Sequence, residues 1–207
     1  MGFSYVEIFS IIVVLLSCFF IYFKTKEIYD LTSHKGIGYF RKAFLFFGFS
    51  AVILSLFSFI GSVGFEFRFF FRFIILFQLI GILYFLFSLF YKKLKYEWII
   101  YLFTLFVLLS SFMFRSKYVL GFLVFFIFSV VGVVSIYNYL YKKKSSKINS
   151  NIYFIYSLLF VFWGLRFLLF IFDLTLYFER EFYHIMMAVV FMYIGFIVND
   201  KLTLRKK

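Results

Sequence analysis

Proline is absent from this 207-residue chain, cysteine occurs once, histidine twice, and acidic residues number only nine. A single cysteine, Cys18, excludes an intrachain disulfide and any cysteine-based metal cluster. It sits in an apolar run, where a small packed residue is expected. Without proline there is none of the proline-interrupted segments that point to binding sites in many transporters. The same chain is rich in Phe, Ile, Lys and Tyr, a compositional bias that accounts for the missing proline without reference to function.

Catalytic signatures are equally scarce. The chain has no P-loop, no GxSxG and no HExxH. His34 and His184 fall at opposite ends of the span pattern set out below, so they cannot ligate one haem or one metal together. No lysine lies inside an apolar run, which removes the anchor for a retinal Schiff base. No run carries paired carboxylates at mid-depth, which disfavours a proton pump or an intramembrane aspartyl protease. The reading is therefore no catalytic residues, no metal ligands and no cofactor.

What the chain does have is apolar surface. It is 65% hydrophobic and 29% aromatic, with 40 Phe and 17 Tyr. A soluble domain is about 45–50% apolar. Apolar runs of membrane-crossing length recur along the chain. The fold class expected is all-α: a polytopic integral membrane protein with seven transmembrane helices in one domain. The spans fall at about 4–23, 43–63, 73–91, 98–114, 118–141, 151–172 and 182–198. The flank before the first span has no Lys or Arg and no cleavage site follows it, so it reads as a span and not as a signal peptide.

Charge placement orients the bundle. Of the 22 Lys and Arg, 16 fall in the connections after spans one, three and five and in the tail; five fall after spans two, four and six. Arg166 is the remaining one. The positive-inside rule then places the N-terminus outside and the C-terminus in the cytoplasm of a cell-membrane, multi-pass protein. The net charge of +13 thus reads as topology plus affinity for anionic lipid at the cytoplasmic face, and not as nucleic-acid binding. The basic stretch 24–42 is read as the longest polar connection, with Asp30, Thr32, Ser33 and His34 in a turn. A weak parallel repeat of spans one to three with five to seven is suggested by Ala43-Phe44-Leu45-Phe46-Phe47-Gly48 and Leu159-Phe160-Val161-Phe162-Trp163-Gly164.

Arg166 stands inside an apolar run, about seven residues from Asp173 and so roughly 10 Å deep. An intramembrane charge is a functional hypothesis with a partner to be named. Glu7, entering span one from the same side, is the first candidate partner, and Asp173 the second. Either the pair fixes helix packing, or Arg166 lines an outward cavity and grips an anion with its planar fork. Arg68 and Arg72, four apart, share a helix face on the outer side and read first as headgroup anchors. His184 with Arg180 and Glu181 forms an outer polar cluster.

Span count and orientation resemble those of rhodopsin-like receptors, of histidine-kinase sensor modules and of three-one-three sugar carriers. No motif of any of them is present, so no family is assigned. The leading expectation is a receptor-like or sensor module binding a small anionic ligand from outside near Arg166. A small-solute transporter and an accessory subunit packed on a membrane or cytoplasmic protein partner are the alternatives.

Overall fold

A computed structural model of the chain describes residues 4–60, 65–90, 98–113 and 177–205, with isolated positions between 126 and 161. All the regular structure described is helical. The helices are α1 (Tyr5–Thr32), α2 (Lys35–Ile60), α3 (Phe65–Leu89), α4 (Trp98–Met113) and α5 (Tyr177–Arg205). Lipid offers backbone groups no hydrogen-bond partner, so an apolar chain must satisfy them within helices. Four segments are long and apolar enough to cross a membrane: Tyr5–Thr32, Lys35–Leu56, Arg72–Leu89 and Glu181–Asp200.

The chain divides into two compact units, residues 1–110 with 180–207, and residues 111–179. In the second unit, the described positions within the expected spans 118–141 and 151–172 are helical, and Ile155 and Leu159 are buried. Everything below concerns the first unit.

The expected polar connection at 24–42 is corrected by the structure. α1 continues to Thr32 and α2 begins at Lys35, so only Ser33 and His34 lie outside helix. Ser33 takes a left-handed conformation (φ 48°) and its N–H closes α1 on the Tyr29 carbonyl at 2.7 Å. The His34 carbonyl then accepts from the N–H groups of Ile37 and Gly38 at the start of α2. The charged residues here do not mark where the helices end. The stretch 66–72, just before the third expected span, belongs to α3.

Side-chain contacts give the helix directions. A Cβ on Gly38 would lie 2.9 Å from the Tyr29 ring, and one on Gly48 3.5 Å from Cys18, so α1 and α2 run antiparallel about the 33–34 turn. α2 and α3 are antiparallel too, with Tyr39 against Phe87 and Gln78 against Ser50. α5 meets α1 at Glu7–His184 and at Phe20–Gly195, so these two run parallel. Phe44 and Phe47 of α2 both touch Phe85 of α3 and Phe191 of α5. Outward faces are apolar: Phe9 and Phe196 are each 69% exposed and Phe106 66%, which is unremarkable only if lipid covers them.

Polar groups at depth are satisfied within or between helices. Thr25 and Thr104 donate to the carbonyls of Ile21 and Ile100, one turn back. Gln78 Nε2 donates to Ser50 Oγ at 3.4 Å across the α2–α3 interface. The Tyr84 and Tyr101 hydroxyls share a hydrogen bond between α3 and α4.

The least yielding constraint is Gly81, where a Cβ would lie 3.0 Å from Phe47 Cε2 and 3.2 Å from the Ala43 carbonyl oxygen. Backbone cannot rotate away as a flexible side chain can. Gly81→Val is therefore expected to cost about 1–3 kcal/mol by overpacking, whereas Gln78→Leu should cost about 0.6 kcal/mol, typical of one interhelical hydrogen bond in a membrane protein. Equilibrium unfolding in detergent micelles gives both; equal losses would show that approach at Gly81 does not limit packing.

Candidate functional site

Glu7 is wholly buried (0% exposed), and it is the one acidic or basic side chain in the buried class among the described residues. Burying a carboxylate is costly unless its oxygens are bonded. The start of α1 supplies those bonds. Ser4 is the N-cap: its Oγ accepts from the Glu7 N–H at 3.3 Å, and Glu7 Oε2 accepts from the Ser4 N–H at 2.8 Å. This reciprocal pair is a capping box. The positive end of the helix macrodipole adds to it, because a carboxylate in the first turn is favourably placed.

The second oxygen, Oε1, faces α5. His184 Nε2 lies 3.9 Å away, and His184 is 16% exposed. At that distance the contact is too long for a hydrogen bond, and is an ion pair when the imidazole is protonated. The Tyr183 ring stands edge-on to His184 at 5.6 Å. The seam between the parallel helices α1 and α5 thus holds a carboxylate and an imidazole at the end away from the 33–34 turn.

Two of the expected site residues, Glu7 and His184, are brought together. The His184 imidazole faces Glu7; of the cluster expected with Glu181 and Arg180, the Arg180 side chain lies outside the described residues. Arg72 lies in the first part of α3, half-buried. Arg68 is also on α3, but its side chain lies outside the described residues, as do Arg166 and Asp173 altogether. The expected Glu7–Arg166 pair is therefore not placed by the structure.

Among the described residues no group of three or more His, Cys, Asp or Glu could hold a metal. An open groove of about 340 Å³ runs along the other half of the α1–α5 seam, lined by Leu16, Phe20, Met192 and Phe196 with Ser17 and Asn199. It contains none of the expected site residues.

One arrangement of charged side chains escaped the sequence reading. Arg41 and Lys42 were counted as loop charges. In the structure Arg41 Nε donates to the Tyr22 carbonyl at 3.1 Å and its guanidinium lies 4.2 Å from the Tyr22 ring centroid. Lys42 Nζ lies 5.5 Å from the Tyr84 ring centroid and 5.8 Å from that of Tyr39. Pairing Tyr22 with Arg41 requires knowing that α1 and α2 continue past the charges. The capping box was missed as well, although its signal, Ser4-x-x-Glu7 before an apolar run, stands in the sequence.

Compared with protein-family models, curated proteins and solved structures, the chain matches none of them.

The Glu7–His184 contact makes a direct prediction. A double-mutant cycle with Glu7→Gln and His184→Gln should return a coupling of about 0.5–3 kcal/mol, the range for residues in contact. Additive single losses, measured by unfolding in micelles, would show that the two side chains are neighbours without interaction.

Proposed function

We propose that this chain is a seven-span protein of the cell membrane, N-terminus outside and C-terminus in the cytoplasm. We propose that it works as a receptor-like sensor module for a small anionic ligand taken from the outer side. The observation that carries this reading is the buried Glu7 carboxylate against His184, at the end of α1 remote from the basic turn. Ionisable groups inside membrane segments are expensive and mark function by default.

The span count draws support from direction. α1 and α5 run parallel, so an odd number of spans reaches from one through the other when every intervening helix crosses. Four segments meet the length and hydropathy needed to cross; seven follows from the apolar runs and from the alternation of basic connections.

The sensing step is an exchange of partners. An anion entering from outside competes with Glu7 for the cationic side chain it faces, His184. The α1–α5 seam, whose other half is an open and mostly apolar groove, responds where its charges meet. α1 then runs unbroken for 28 residues, about 42 Å, to the turn on the opposite face. One stiff element therefore connects the outer site to the cytoplasmic surface.

The test is a panel of small carboxylates and phosphates added to the protein in nanodiscs, with binding read by calorimetry and by thermal shift. At least one anion is expected to bind. Arg166→Leu, at the one arginine set inside an apolar run of the sequence, should weaken binding by more than about tenfold with helicity unchanged. A variant that binds as the wild type does, or a panel without a binder, overturns the reading. Saturable uptake of the bound anion by proteoliposomes would make the chain a carrier instead.

A further inference from the structure

We infer that Arg41, locked against Tyr22, is a binding site for the phosphate of an anionic glycerophospholipid on the basic face of the bundle. The inference is independent of the outer ligand.

Arg41 is held in place before any ligand arrives. Its Nε is committed to the Tyr22 carbonyl at 3.1 Å, and its plane lies over the Tyr22 ring at 4.2 Å. The terminal nitrogens Nη1 and Nη2 make no bond or ion pair with any described residue. What remains is a half-buried fork of four N–H donors with its rotamer already fixed. Such a fork matches two oxygens of a phosphate with parallel, charge-assisted hydrogen bonds. The ordering entropy of a long side chain is spent in folding and not in binding.

Its depth fits a headgroup. From Tyr5 to Lys24 is about 28 Å of helix, close to the roughly 30 Å of bilayer hydrocarbon. Arg41, bound to the Tyr22 carbonyl, therefore sits at the boundary on the Lys24 side. Lys24 and Lys26 extend beyond it on α1, and Lys42 follows on α2. Lys24 is 3.8 Å from Glu27 and both are exposed, so this pair is a screened surface contact. Arg41 is the built member of the set.

The surroundings favour a phosphate that carries acyl chains over free phosphate. The Tyr22 ring meets Phe23 at 5.4 Å, and Phe23 meets Phe19 at 6.5 Å. Phe23 is 62% exposed. An aromatic track thus leads from the guanidinium towards the hydrocarbon along the outer surface of α1, where an acyl chain would lie. A soluble anion gains nothing from that track.

The test uses the full chain in micelles, titrated with phosphatidylglycerol, with phosphatidylcholine and, separately, with inorganic phosphate in large excess. Retained lipid is counted by native mass spectrometry. The wild type is expected to hold phosphatidylglycerol over phosphatidylcholine by about tenfold or more, and Arg41→Gln to lose about tenfold, as for one charge-assisted bidentate contact. Lys26→Gln, at the same level of the hairpin, should change retention less than about threefold, as expected of a screened surface charge. Tyr22→Leu and Arg41→Lys keep the local charge but remove the stacking or the fork, and each should weaken retention. Wild-type retention in Arg41→Gln overturns the site. If that variant does not fold, unchanged retention in both Tyr22→Leu and Arg41→Lys overturns it equally. Displacement of phosphatidylglycerol by inorganic phosphate would assign the site to free phosphate and overturn the lipid.

Discussion

Phe44 and Phe47 stand one turn apart on α2, and each touches both Phe85 of α3 and Phe191 of α5. The described helices depend on this contact. In water, burying four phenyl rings would drive assembly by itself. In lipid it does not, because acyl chains are as apolar as the rings. What holds helices together there is close dispersion contact, and that requires the backbones to approach. Ala43 and Gly81 allow it: both sides of the α2–α3 interface are reduced to the smallest residues where Phe47 inserts. The ring cluster and the small residues are one device, since the rings fill the space that the small residues leave.

That device explains why the α1–α5 seam can hold charge. α5 is held against α2 by Phe191 and against α1 by Gly195, so its start does not depend on the Glu7–His184 contact alone. A carboxylate buried without compensation would force the seam apart. Glu7 is compensated locally, by Ser4 and by the N-terminal end of α1, before His184 contributes anything. Its second oxygen is thereby left to respond to α5. A group whose fold is secured from one side and whose partner lies on another helix suits a responsive element better than a structural rivet.

The sequence was legible where one physical demand dominated. Helical class and membrane-crossing length follow from apolar runs, because lipid leaves the backbone no alternative to helix. Glu7 and His184 were both placed at the outer ends of their helices, but their mutual contact was not visible. Which residues face each other across a seam depends on helix rotation, and in a chain with phenylalanine on every face no amphipathic pattern reveals it. The region 24–42 was misread for a related reason. Hydropathy reports where an apolar run ends, and Lys24 and Lys42 bound such runs. It does not report where hydrogen bonding ends, and Gly36 and Gly38, which look like loop residues, lie within α2, with the Tyr29 ring packed beside Gly38.

The same distinction gives the hairpin its character. Two helices that stopped at the hydrocarbon boundary would need a connection of irregular backbone at headgroup level, with charges on mobile side chains. Here the helices cross that boundary still paired and turn only at Ser33 and His34. Side chains on facing helices can then reach each other at headgroup depth, which is how an α2 guanidinium comes to rest on an α1 ring and carbonyl. A positive charge in a disordered loop attracts anionic lipid only by its average field. The same charge on a fixed fork can distinguish the geometry of what it binds, so continuing the helices past the membrane edge turns a topological signal into a defined surface.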